Sequence, residues 1–317
     1  DQGAVYTPRV EVDLMCRLAL VYWLAQTTNL DKRDLYHLFF REAGTGEAYD
    51  ECQKQGDFSP AEICTLIEKL ENVTVCDPAA GSGAFEVGML QVLDQTLENL
   101  YTRNNTPADL KANAPTAFER KKAIIATSLY GVEVKRWAVW INHLPLFVDM
   151  PDEFKTSFTP LLPNLTFKVR TGDSLVQRIG GKTFPVQGYA DLPTAVKRQI
   201  TELKKKKRDF FYNQSHDSRP IEQEELAVFR AILDAEIEEK KAALRRLLAP
   251  KPVQISFIPP KQQQLELDMA KATKEQRELL ENQVAELQNQ KNSLKDERPF
   301  IWSIEFAEIF FDKEGFD

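Results

Sequence analysis

Apolar positions recur at helical spacing over residues 9–26 (Val12, Met15, Cys16, Ala19, Leu20, Trp23), and again over 30–40 and 60–70. Thr7 ahead of the first run predicts a side-chain cap with Pro8 in the first turn, and Asp31 and Ser59 stand where the next two helices need caps. Residues 44–56 are polar and predict a loop, where His37 nearby reads as an ordinary surface or core residue. The pattern then changes. Residues 73–76 form a continuous apolar run short enough for a buried strand. An acid and a small-residue loop follow over 77–83, and helical spacing returns over 84–100 through Phe85, Met89, Leu90, Leu93, Leu97 and Leu100. Residues 103–115 are polar with prolines and predict a loop, and 117–128 a helix. A second short strand over 129–134 ends in an acid. Residues 136–147 read as a helix with Trp137, Trp140, Ile141 and Leu144 on one face. After a loop over 154–163, the alternation of 165–170 predicts a third strand, and 180–193 another loop.

Short strands separated by helices predict an α/β fold with a parallel sheet. From residue 195 the composition shifts to a highly charged helical pattern. Leu226, Leu233 and Leu247 fall on a seven-residue spacing, with Arg230, Ile237 and Leu244 interleaved, which is coiled-coil patterning. Pro250, Pro252, Pro259 and Pro260 break it, and 271–295 resume it through Leu280, Val284, Leu287 and Leu294. Two helices around a proline turn predict an antiparallel arm. The domain organisation expected is a helical region over 1–70, core strands over 71–194, the coiled-coil insertion over 195–298 and a closing segment over 299–317.

The 317 residues, 43% of them hydrophobic, suffice for one large domain or two small ones. A net charge of -7 gives no global attraction to nucleic acid, so any such contact needs a local patch. The basic run at 204–208 followed by Phe210, Phe211 and Tyr212 is one candidate; a solvated helix face is the preferred reading, because acidic residues dominate the rest of the arm. The four cysteines (Cys16, Cys52, Cys64, Cys76) lack metal-ligand spacing, and Cys16 and Cys76 read as reduced core thiols, the cytoplasmic pattern. There is no membrane-length apolar run.

Candidate chemistry lies at the predicted strand ends. Gly81 and Gly83 after the first strand permit a tight turn or let the backbone approach a ligand. Their loop lacks the third glycine of a dinucleotide fingerprint and the Gly-Lys-Ser/Thr of a phosphate loop. Glu133, ending the second strand, can accept hydrogen bonds from two ribose hydroxyls or cap the next helix. Asp173, after the third, can accept from an adenine amino group or simply form a turn.

The string Asp77-Pro78-Ala79-Ala80-Gly81-Ser82-Gly83-Ala84-Phe85 resembles the first motif of S-adenosylmethionine-dependent amino-methylating DNA methyltransferases. Tyr6-Thr7-Pro8 before a helix is similar to the cofactor motif of the gamma-class adenine enzymes. Gly131-Val132-Glu133 and Gly172-Asp173-Ser174 match the second and third motifs, in the family's order. The closing segment from Pro299 to Asp317 resembles the lead-in to the catalytic strand of bifunctional restriction-modification enzymes. The resemblance implies a Rossmann-like sheet, S-adenosyl-L-methionine as cofactor, double-stranded DNA as the parent protein's partner, and methylation of adenine N6. The cofactor residues it implies are Tyr6, Thr7, Pro8, Asp77, Ala79, Gly81, Glu133, Asp173 and Ser174. No Asn-Pro-Pro-Tyr, the family's catalytic motif, occurs, so the chain reads as a fragment unable to methylate alone. A non-catalytic cofactor-binding or partner-binding module, the methyltransferase half of a nuclease fusion, and an enzyme acting on RNA or protein remain open. In the family's sheet a fourth strand covers the first. The edge beside residues 73–76 is therefore expected to be covered by the segment near 304–311, by a second copy through this edge or the arm, or by further polypeptide.

Overall fold

The structure, a computed structural model, describes residues 7–40, 58–135, 138–139, 167–176, 178–179, 182–183, 192–213, 218–248, 260–294, 299–312 and 315–317. Tyr6, the loop at 44–56, most of the helix expected over 136–147, the loop at 154–163, most of that at 180–193, and Pro250, Pro252 and Pro259 lie outside the described residues. So do the side chains of Phe211 and Tyr212. The chain forms two compact units, residues 1–174 with 315–317, and residues 175–314.

In the first unit, α1 (Arg9–Thr27), α2 (Lys32–Phe40) and α3 (Pro60–Asn72) precede β1 (Val75–Asp77). Ser59 accepts the Glu62 N–H while the Glu62 carboxylate accepts the Ser59 N–H, a reciprocal cap on α3. Asp31 accepts the Arg33 N–H at 2.7 Å and caps α2. Thr7 does not cap α1: Pro8 is the N-cap, in extended conformation, its carbonyl taking the Val12 N–H at 3.1 Å, and no side chain caps the helix. Thr7 stands one position too early to reach the free amides of the first turn. Then come α4 (Ala84–Thr102), α5 (Ala108–Ala112), α6 (Ala117–Thr127), β2 (Leu129–Glu133) and β3 (Val169–Thr171). The five-residue α5 interrupts the loop expected over 103–115. Thr116 and Glu119 make a second reciprocal cap, on α6.

The three strands form a parallel sheet in the order β1-β2-β3, with Asp77 opposite Gly131 and Glu133 opposite Thr171. Leu129, Tyr130 and Val132 of β2 are buried, as is Val73 just ahead of β1. The third strand departs from the expected alternation, because Phe167, Lys168, Val169 and Arg170 are all buried. The Lys168 ammonium lies 3.7 Å from the Tyr130 ring centre and the Arg170 guanidinium 5.0 Å from that of Phe167. Aromatic faces and apolar stems make such burial tolerable. On the helical side, α1 crosses α4 where Gly88 leaves room: a methyl group there would lie 2.5 Å from the Val12 side chain. The core joins Leu20, Leu24 and Leu35 to Ile63, Leu66, Leu90, Leu93 and Ile125.

Among the described residues β1 is an edge of this sheet, and residues 315–317 lie along its start. The Asp317 N–H donates to the Thr74 carbonyl at 3.0 Å, and the Asp317 carboxylate accepts the Thr74 N–H and hydroxyl at 3.0 and 2.7 Å. The Phe316 ring packs 5.1 Å from that of Tyr130.

In the second unit a two-stranded ribbon, β4 (Arg178–Ile179) and β5 (Lys182–Thr183), precedes α7 (Thr194–Asn213), α8 (Arg219–Leu248), α9 (Pro260–Ser293), α10 (Trp302–Glu305) and α11 (Ala307–Asp312). The expected pair of arm helices is three. The helix expected from 271 already runs from Pro260, a residue suited to a helix start. Leu280, Val284, Leu287 and Leu294 do line a narrow, less exposed seam on and just after α9. On α8 the buried positions are Ile221, Glu225, Val228, Phe229, Ile232, Leu233, Glu236 and Ile237, while Arg230 is exposed. That stripe is wider than a heptad seam because α8 packs against both α7 and α9.

The run at 204–208 is not simply a solvated face. Lys206 pairs with Glu224 at 2.8 Å, and Lys207 is buried against Glu225. Burial, and secondarily the charge of Lys207, pushes the Lys204 ammonium down to about 8 from its usual 10.5. The folded state therefore binds this proton more weakly than the unfolded chain, so stability rises with pH between about 8 and 10.5. Replacing Lys204 by Met is expected to stabilise the protein at pH 7 by on the order of 1–2 kcal/mol, after allowance for solvent screening, and to flatten that rise. Urea unfolding at pH 7 and pH 10 checks both, and a loss of stability at pH 7 would count against it.

Candidate functional site

Parallel strands carry their carboxyl ends to one side, so the residues that end β1, β2 and β3 share one rim. β1 ends in Asp77, whose Oδ1 accepts the Ala79 N–H at 2.9 Å and turns the chain sharply. The loop then crosses to β2, where the Ala80 N–H donates to the Val132 carbonyl at 2.9 Å. Gly81 and Gly83 have φ of +53° and +89°, the left-handed region that favours glycine. Among the described residues a methyl group on Gly81 would meet no clash: its nearest neighbour, the Ala79 carbonyl oxygen, would lie 3.9 Å away, an ordinary contact. α4 starts directly after Gly83, with no side-chain cap, so its first turn lies at this rim.

Glu133 ties the rim together. Its Oε2 accepts the Gly81 N–H at 3.0 Å and its Oε1 the Lys135 N–H at 2.8 Å, so it braces the glycine loop and the turn after β2 at once. An ionised carboxylate has about four acceptor sites, leaving capacity for ligand hydroxyls. The Glu133 carbonyl accepts the Gly172 N–H at 3.0 Å, which brings the turn of Asp173 and Ser174 alongside. Asp173 is exposed and Ser174 half-buried. Burial, opposed by the Ala79 hydrogen bond and assisted by the Glu133 charge, raises the Asp77 carboxyl above its ordinary range.

The structure thus brings together Asp77, Ala79, Gly81 and Glu133, with Asp173 and Ser174 one strand further along. Thr7 and Pro8 stand at the start of α1, and the contacts tying α1 to α4 are made one and two turns later, by Val12 and Cys16. Tyr6 lies outside the described residues.

A cavity of about 350 Å3 adjoins the rim at Asp77 and Pro78. That volume is within the range of small-molecule sites. α1 lines it with Met15, Cys16 and Ala19, the two strands with Val75, Cys76, Leu129 and Tyr130, and α4 with Phe85, Glu86 and Met89. The sequence reading missed Glu86, which is 3% exposed. Its one signal is Gly131, the glycine of β2: a methyl group there would lie 2.5 Å from Glu86 Oε1 and 2.9 Å from the Ala80 side chain. The two thiols are poor nucleophiles. Burial first, then Asp13 and Asp77, pushes Cys16 up to about 12, and burial, Asp77 and Glu86 push Cys76 higher still. Among the described residues no three His, Cys, Asp or Glu side chains converge to hold a metal ion, and no helix is long and apolar enough to cross a membrane.

No family model matches the chain, and no solved structure matches it. Over 115 residues, 35% of its length, it is 31% identical to a protein of Methanocaldococcus jannaschii provisionally named a type II restriction enzyme and methyltransferase. The aligned stretch spans 9% of that protein's length. Over this stretch the chain has a restriction-modification methyltransferase-like relationship.

Proposed function

We propose that this chain is the cofactor-holding part of a site-specific DNA methyltransferase of the restriction-modification kind, built on a Rossmann-like sheet and directed to adenine N6. The observation that carries the reading is the rim itself. Three neighbouring parallel strands end in Asp77, Glu133 and the Asp173 turn, and Glu133 is hydrogen-bonded to a left-handed glycine loop. The partial likeness to a protein named as a restriction enzyme and methyltransferase supports the same reading.

S-adenosylmethionine, when bound, supplies an electrophilic methyl group. The residues present fit it. In this reading Glu133 offers acceptor capacity to the ribose hydroxyls, and Asp173 and Ser174 would receive the adenine. Gly81 lets the backbone approach, and Asp77 opens on the cavity. The chain's own part is to bind and orient. Orientation of a reacting pair accounts for a large share of such rate enhancements. Double-stranded DNA is the proposed substrate of the whole protein, with the target base turned out of the helix.

The test is calorimetric titration with S-adenosylmethionine, then assay of labelled methyl transfer to DNA. Saturable binding supports the cofactor reading, and transfer or its absence separates an enzyme from a binding module. A folded chain that gives no binding heat overturns the proposal.

A further inference from the structure

We propose that Glu86, together with Asp77, makes the cavity beside β1 favour a cofactor whose sulfur carries a positive charge. S-adenosylmethionine, with its sulfonium, is then held, and its neutral-sulfur product, S-adenosylhomocysteine, is let go. This inference rests on the cofactor reading above.

The cavity is otherwise apolar, with Met15, Phe85, Met89 and Tyr130 among its walls. Two carboxylates enter it from different elements, Asp77 at the end of β1 and Glu86 in the first turn of α4. No cationic side chain is among the described residues that line it. Arg17, on the same helix as Met15, is turned to Asp13 at 2.9 Å and to Gln95 at 3.2 Å. Lys168 lies over the Tyr130 ring without lining the cavity. Glu86 is buried at the start of α4. The missing side chain at Gly131 leaves room for its Oε1, which a methyl group there would approach to 2.5 Å, and the first turn of a helix favours a negative charge. Two acids in low-dielectric walls repel an anion and favour a cation far more than they would in water. Methyl transfer removes one unit of positive charge from the cofactor's sulfur. The same walls therefore bind substrate and product unequally.

The experiment measures the affinities of S-adenosylmethionine and S-adenosylhomocysteine for the full chain and for Glu86→Gln, a near-isosteric change. Wild type is expected to prefer S-adenosylmethionine. Glu86→Gln is expected to lose about tenfold or more of that affinity, the size of a hydrogen bond or contact to a charged group. Its affinity for S-adenosylhomocysteine should stay unchanged, which also shows that the variant is folded. An unchanged ratio, or an equal loss for both compounds, overturns the inference and leaves the cofactor reading standing. If neither compound binds wild type, both fall. Should Glu86→Gln fail to fold, wild type alone decides. An analogue with an amine in place of the sulfonium centre must bind like S-adenosylmethionine, and binding like S-adenosylhomocysteine would overturn the inference.

Discussion

Replacing Lys207 by Ala is expected to destabilise the helical unit by about 3–5 kcal/mol, because it strips a buried carboxylate of its counter-charge. Lys207 is 2% exposed and its partner Glu225 is fully buried. The ammonium also donates to the Ile304 carbonyl and, at 3.1 Å, to that of Glu305, so one side chain joins α7 to α8 and α10. Losing it leaves Glu225 and two carbonyls without this donor. The neighbouring pair of Lys206 and Glu224 makes the contrast. Its side chains are 56% and 30% exposed, and Lys206→Ala should cost no more than about 1 kcal/mol. The double change Lys207→Met with Glu225→Leu removes both charges, and apolar replacement of a buried pair is often neutral or stabilising. It should therefore recover most of the loss. Urea denaturation of the three variants decides the matter. A cost below about 1 kcal/mol for Lys207→Ala would show that the pair is better solvated than its burial implies.

Lys207 also shows where sequence reading reaches its limit. In the run of basic residues at 204–208, periodicity cannot tell the lysine that is fully buried from those that are half-buried or face water. That distinction is made by Glu225 and by carbonyls almost a hundred residues away. Signals confined to a few neighbours were legible. Asp31 and Ser59 cap the helices they precede, and the strand-ending acids Asp77 and Glu133 stand at the end of a parallel pair. Thr7 was misread by one position, since a Thr-Pro before a helix permits either residue as the cap. α5 was hidden because five residues are too few to show a period. The α8 stripe was mistaken for a heptad seam because helices α7 and α9 bury it from two sides, and a sequence records only that a position is apolar. Glu86 was overlooked for the opposite reason. An acid in a first turn ordinarily faces solvent, and only the missing side chain at Gly131, on another strand, marks it as buried.

Glu133→Ala is expected to weaken S-adenosylmethionine binding by about 1–3 kcal/mol, roughly 5- to 150-fold, while leaving the chain folded. Two losses combine. The carboxylate accepts the Gly81 N–H at 3.0 Å and the Lys135 N–H at 2.8 Å, so its removal loosens the glycine loop as well as withdrawing the acceptor proposed for the ribose hydroxyls. The loop keeps its second anchor, the bond from the Ala80 N–H to the Val132 carbonyl, and β2 keeps its pairing on both sides, which is why folding should survive. Asp173→Ala makes the weaker test. Asp173 is exposed, so water can replace part of what it offers, and its effect should fall near the lower end of the same range. Calorimetric titration of both variants, with thermal melts to confirm folding, measures the order as well as the size. If both bind the cofactor as tightly as wild type, the rim at the strand ends is not the site, and the cavity beside Asp77 must hold the ligand without it.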